Sequence, residues 1–108
     1  MSTWTGLTAM ARFEAAVDGD LVPTVRDVLL SSGAKGYTAL HGVSGFGHGG
    51  EHAGRLLFND RHSLSLLICV TPIEKADAIV AGVRSLLDDH RGVIFVSETN
   101  VSRPEYFQ

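Results

Sequence analysis

The chain has 108 residues, 44% of them hydrophobic, with a mean hydropathy of +0.14. That balance suits one compact domain and excludes a disordered segment or a pair of domains. Nine Lys/Arg against twelve Asp/Glu leave a formal net charge of −3, so no basic footprint invites nucleic acid or an anionic membrane surface. The opening MSTWTGLTAM lacks a cationic start followed by an apolar run, and no stretch reaches the length of a membrane span. The expectation is therefore a cytoplasmic protein. The one cysteine, Cys69, cannot form an internal disulfide and lies within the apolar run LSLLICV, where it reads as a core residue rather than a nucleophile.

In chain order, Leu7, Ala9, Ala11 and Phe13 alternate with Thr8, Met10 and Arg12, the period of two of a first strand. Asp18-Gly19-Asp20 reads as a turn, with Asp20 as a helix cap and Pro23 in the first turn. Leu21, Val25, Val28, Leu29 and Ser32 share one face of a helix predicted over 21–32, which Gly33 stops. A second strand is predicted over 37–43 and a third over 63–70. Thr71-Pro72-Ile73-Glu74 reads as a capping box opening a second helix, with the stripe Ala76, Ile79, Val80, Val83, Leu86 and Leu87. That helix ends near Asp88-Asp89-His90-Arg91, Gly92 opens a fourth strand over 93–99, and Pro104 begins a short tail over 104–108.

The series βαββαβ contains the same β-α-β unit twice. Right-handed crossovers then place both helices on one face of a four-stranded antiparallel sheet, the ferredoxin-like α+β arrangement. Strands three and four carry apolar residues on both faces: Leu64, Leu66, Ile68 and Val70 against Leu67 and Cys69, and Val93 and Phe95 against Ile94 and Val96. Two helices cover one face only, so the other is expected to lie against another subunit.

Chemistry concentrates in the segment GYTALHGVSGFGHGGEHAG, residues 36–54, where glycines surround His48, Glu51 and His52. Such a run lets a ligand approach the backbone, and successive amides near Gly45, Phe46 and Gly47 can form an anion-binding concavity. The run follows a strand without leading into a helical pattern, so helix-dipole binding of a dinucleotide is not implied. His48, Glu51 and His52 carry suitable metal-ligand groups, but no helix fixes their spacing, and solvated histidines are the expectation. His41, His62 and His90 read as structural or solvated. No phosphate-loop, nucleophile-elbow or triad pattern is present, so catalysis is not expected.

A strand, a helix, Gly36-Tyr37-Thr38, a strand ending Gly45-Phe46-Gly47, a loop, a second β-α-β unit and Gly92-Val93-Ile94-Phe95-Val96 together resemble the PII signalling superfamily over nearly the whole chain. The resemblance implies a non-catalytic homotrimer whose sheets pack into a barrel-like core, with an adenine nucleotide between neighbouring subunits. By that resemblance Gly36, Tyr37 and Thr38 meet the adenine, and Gly45, Phe46, Gly47 and His48 pass the phosphates at the base of the T-loop, about residues 47–58. Arg91 and Gly92 stand at the second nucleotide loop, and Arg103 stands near the arginines that follow strand four. A guanidinium suits that place because its fork of donors matches phosphate oxygens.

The chain also departs from the nitrogen-regulatory pattern. One extra residue separates Gly36 from Gly45, a spacing similar to the PII-like relatives. Gly49 stands where a glutamine helps hold Mg-ATP and 2-oxoglutarate, and residues 47–58 contain no tyrosine to uridylylate. Only His90 and Arg91 precede Gly92, a stretch short for a triphosphate, so the implied ligands are AMP or ADP, with ATP and cyclic AMP as further candidates. The Gly-Tyr-Thr strand and compressed loops resemble PII-like proteins linked to carboxysomes or bicarbonate transport. The implied effector segment is Gly49, Gly50, Glu51 and His52, ordered by nucleotide with a small anion such as bicarbonate. The implied partner is a bicarbonate transporter or carboxysome-related protein. The alternative is a ferredoxin-like trimeric metal-binding protein of the cation-tolerance type.

Overall fold

The computed structural model describes residues 4–43 and 64–108. Four strands, β1 (Thr8–Asp18), β2 (Thr38–Val43), β3 (Leu64–Thr71) and β4 (Gly92–Val101), form one sheet in the order β2-β3-β1-β4, every pair antiparallel. Helices α1 (Val22–Ser31) and α2 (Ala76–Leu87) follow β1 and β3. This is the ferredoxin-like arrangement expected from the element series, with each helix carrying a crossover between strands that follow each other in sequence but are not neighbours in the sheet.

The core lies between sheet and helices. Ala11, Phe13, Ala15 and Val17 of β1 and Leu67 and Cys69 of β3 meet Val22, Val25 and Leu29 of α1 and Ile79 and Val83 of α2. The stripe expected on the second helix is the one observed, with Ala76, Val80, Leu86 and Leu87 flanking its buried centre. On α1 the centre is Val22, Val25 and Leu29, while Leu21 and Val28 stay partly exposed. Burying these side chains at ~25 cal/mol per Å² of apolar surface is the main force holding the layers together.

β1 is longer than its alternation suggested: it runs to Asp18, the first residue of the expected turn. Glu14 and Ala15 continue the alternation and Ala16 alone departs from it, and pairing with both β3 and β4 keeps the strand extended through Val17. Both expected helix caps are absent. Asp20 lies inside a 3-10 turn, Gly19–Leu21, and α1 begins after Leu21 without a side-chain cap. The capping box at Thr71 does not form either, because Thr71 is the buried last residue of β3 and its Oγ1 donates to the Pro72 carbonyl at 3.1 Å. A 3-10 turn, Ile73–Lys75, leads into α2 instead. Such tight turns satisfy part of a helix N-terminus without a side chain.

The end of α1 follows the sequence closely. The Gly33 amide donates to the Leu30 carbonyl at 3.2 Å and the Ala34 amide to the Leu29 carbonyl at 3.0 Å, the paired bonds of a Schellman motif. Lys75 then clips this corner to the other half of the fold, its Nζ donating to the Gly33 carbonyl at 3.1 Å.

Candidate functional site

The sheet sorts the candidate residues by end. β1 pairs Thr8 with Val101 and Val17 with Gly92, while Thr38 pairs with Ile68 and Val43 with Leu64 near the two ends of β3. Gly36, Tyr37, Thr38 and Arg103 therefore lie toward one end, where β1 starts and β3 and β4 finish. Arg91 and Gly92 lie at the other, together with the end of β2 that leads toward Gly45. The 11 residues of β1 separate these ends, about 30 Å at roughly 3.3 Å per residue. Among the described residues, one chain does not bring these two groups of candidates around one small ligand. Gly45, Phe46, Gly47, His48, Gly49, Gly50, Glu51 and His52, with His62, lie outside the described residues.

At the first end, Gly36 faces open space: a Cβ built there would meet nothing within 4 Å. The fold itself sets no requirement for glycine at that point. Thr38, paired with Ile68, belongs to the sheet face away from the helices, so the pleat sends Tyr37 toward the helix layer. There the Tyr37 phenol lies near Arg26 of α1. The Arg26 guanidinium is held charged above its usual range, chiefly by its hydrogen bond with Asp27 and that carboxylate's charge, and to a smaller extent by Tyr37. Tyr37 and Thr38 thus address different layers.

Arg103 stands two residues beyond the end of β4, and its Nη1 donates to the Tyr106 hydroxyl at 2.7 Å. Nothing in the sequence pattern picked out Tyr106. The signal was present in Arg-Pro-Glu-Tyr, since proline favours a tight turn and three residues per 3-10 turn bring positions i and i+3 together.

At the second end, His90 Nδ1 lies 3.0 Å from the Leu86 carbonyl, and the His90 amide donates to the Leu87 carbonyl at 3.3 Å. His90 is thus engaged with the end of α2, as the structural expectation had it. His41 likewise has a partner, its Nδ1 lying 2.9 Å from the buried Ser65 Oγ. The exposed Arg91 is set between His90 and Gly92, whose backbone passes close beneath β1. β2 bends toward the glycine-rich segment through an irregularity between His41 and Val43, where Gly42 takes φ +70°, the left-handed conformation that a glycine bulge uses.

A concavity of about 430 Å³ opens at the first end, lined by residues that include Thr8, Met10, Ile73, Glu74, Lys75 and Gln108. None of the sequence-picked residues lines it. Among the described residues no group of three His, Cys, Asp or Glu could hold a metal, and no helix is long and apolar enough to cross a membrane. Burial pushes the Cys69 thiol up to about 11, so it stays protonated and inert near neutral pH.

These features define a ferredoxin-like domain that offers its candidate polar groups at separate ends of the sheet. The family model described as nitrogen regulatory protein P-II matches residues 10–106, and the chain belongs to that family. A trimeric assembly fits this family. No curated protein matches the sequence. Among solved structures, the chain is similar to CPII, a nitrogen regulatory PII-like protein from Thiomonas intermedia K12, in a complex with ADP, AMP and bicarbonate. The identity is 32%, the match covers 94% of this chain and 95% of that one, and the TM-score is 0.80. It is also similar to the apo form of CPII, at 27% identity over 88% of this chain and 94% of that one, with a TM-score of 0.71. A PII-like signalling protein from Thermus thermophilus shares the fold, at 17% identity, 94% and 98% coverage and a TM-score of 0.73.

Proposed function

We propose that the protein is a non-catalytic, trimeric regulator that binds AMP or ADP in clefts between subunits. With a small anion such as bicarbonate, the nucleotide acts on the T-loop, about residues 47–58, to control a partner in inorganic-carbon metabolism. The observation that carries this reading is the 32% identity, over 94% of the chain, to a PII-like protein in complex with ADP, AMP and bicarbonate. The placement of the candidate residues supports the shared cleft. Gly36, Thr38 and Arg103 lie toward one end of the sheet and Arg91 and Gly92 at the other, so one nucleotide would meet the first group from one subunit and the second from its neighbour. In a closed trimer each head-to-tail contact would then repeat the same site.

The proposed roles follow from chemistry. Gly36 leaves room for a flat base, and Arg91 and Arg103 supply cationic donors for phosphate oxygens. An effector shifts a loop only by binding one of its states better than another, so nucleotide and anion together would set how the loop meets its partner. Bicarbonate would link that choice to inorganic carbon.

Thermal shift and calorimetry test the reading, using AMP, ADP, ATP, cyclic AMP and divalent metals, each with and without bicarbonate. A ligand that prefers the folded state must raise the melting temperature. AMP or ADP is expected to do so, with a further rise on adding bicarbonate. Arg103→Ala is expected to weaken ADP by about 1 to 3 kcal/mol, the range for a charge-assisted hydrogen bond. Stabilisation by metals alone would overturn the reading in favour of the cation-tolerance type.

A further inference from the structure

Tyr106 engages Arg103 in three ways. It accepts a hydrogen bond from Arg103 Nη1 at 2.7 Å, its ring centre lies 5.6 Å from the guanidinium carbon, and its amide donates to the Arg103 carbonyl at 3.1 Å. The 3-10 turn Pro104–Tyr106 creates this arrangement by stacking residue i+3 over residue i. Tyr106 is 62% exposed, so its ring is not held there by burial in the core. Its polar and aromatic contacts both converge on one cation that stands where β4 ends.

We propose that Tyr106 is a positioning residue that presents Arg103 to the phosphates of a nucleoside diphosphate, an inference that rests on the nucleotide-binding reading above. A free arginine loses rotamer freedom when it grips a ligand, and a side chain already held in place loses less. The contact occupies Nη1 and leaves Nε and Nη2, the two donors of the parallel fork, for phosphate oxygens. The aromatic face adds cation–π attraction within the usual reach of about 6 Å. Because the hydroxyl accepts from Arg103, its own proton remains to be donated outward.

A double-mutant cycle on the full chain tests this, with ADP affinity measured for wild type, Tyr106→Phe, Arg103→Ala and the double variant. Melting temperature without ligand serves as the folding control. Tyr106→Phe is expected to weaken ADP about 3- to 10-fold, because losing this charge-assisted hydrogen bond frees the Arg103 rotamer without removing its charge. The same change made in the Arg103→Ala background is expected to do less than about twofold, since Tyr106 acts through Arg103. Tyr106→His is expected to retain more affinity than Tyr106→Phe, because it keeps an aromatic ring with a polar nitrogen. An unchanged affinity in Tyr106→Phe beside a weakened Arg103→Ala would overturn the positioning role alone. An equal loss in both backgrounds would likewise mark a structural effect. If wild type fails to bind ADP, or Arg103→Ala binds it as wild type does, the nucleotide reading of Arg103 fails and this inference with it.

Discussion

Gly92 and Gly36 are both glycines in candidate positions, and their surroundings separate their roles. Gly92 has φ +150°, and a Cβ there would come within 2.9 Å of the Ala16 carbonyl oxygen and 3.0 Å of Leu87 and Val17 side-chain carbons. Backbone cannot give way as a flexible side-chain tip can, so Gly92→Ala is expected to destabilise the protein by about 1 to 3 kcal/mol. Denaturant unfolding measures this, and an unchanged midpoint would contradict the close packing of β4 on β1. Gly36→Ala should instead leave the unliganded midpoint unchanged and weaken AMP or ADP, because only a ligand would meet its Cβ. The sequence could mark both residues as glycines but could not distinguish packing from open space, since that difference arises when β4 docks on β1.

Cys69 gives a pH dependence whose sign follows from its burial. The thiol is raised from 9.0 to about 11 in the folded state, so the unfolded chain releases its proton first. The stability linked to Cys69 is complete below about pH 9 and declines as pH rises toward about 11, with a slope of up to about 1.4 kcal/mol per pH unit. Unfolding midpoints of wild type and Cys69→Val between about pH 8 and 10.5 should converge as pH rises if the variant starts less stable, or cross if it starts close. Parallel curves would mean that the thiol titrates alike in both states.

At the scale of elements, the apolar periods were legible and the caps were not. The stripe from Ala76 to Leu87 and the alternation in Leu64–Thr71 are set by which side chains reach the core, and burial enforces them. Asp20 and Thr71 have the right chemistry for caps, but each is taken up by its neighbours: Asp20 in the 3-10 turn, and Thr71 as a buried strand residue beside Pro72. Local propensity yielded to tertiary pairing at both places. The proposed site rests on residue types at Gly36, Arg91 and Arg103, while the Arg103–Tyr106 contact depends on a turn geometry that no hydrophobic period reports. For the T-loop, the account expects amide exchange at residues 48–54 to slow with ADP and slow further with added bicarbonate. Equal rates in the apo protein and in both ligand conditions would remove the loop as the switch.

On the scale of the whole molecule, the sheet face away from the helices carries the assembly argument. Leu40 is 46% exposed, Val93 45% and Phe95 57%, and pairing places them on the face that also holds Leu66 and Ile68. Arg12 and Glu14 form a 3.5 Å ion pair on the same face, worth little while solvent reaches it. Light scattering should give a trimer, and Phe95→Glu should shift it toward monomer by placing an unpaired charge in the contact. A monomeric wild type at micromolar concentration would remove the shared cleft.

Subunit complementation tests that shared cleft most directly. Arg103→Ala and Arg91→Ala chains are unfolded together in equal amounts, refolded, and titrated with ADP beside each variant alone. If one cleft takes Arg103 from one subunit and Arg91 from its neighbour, random mixing in a cyclic trimer restores about a quarter of the clefts to wild-type affinity. Each variant alone restores none. Mixed trimers that show no high-affinity sites would place both arginines in one chain's site, or outside it, and would contradict the inter-subunit account.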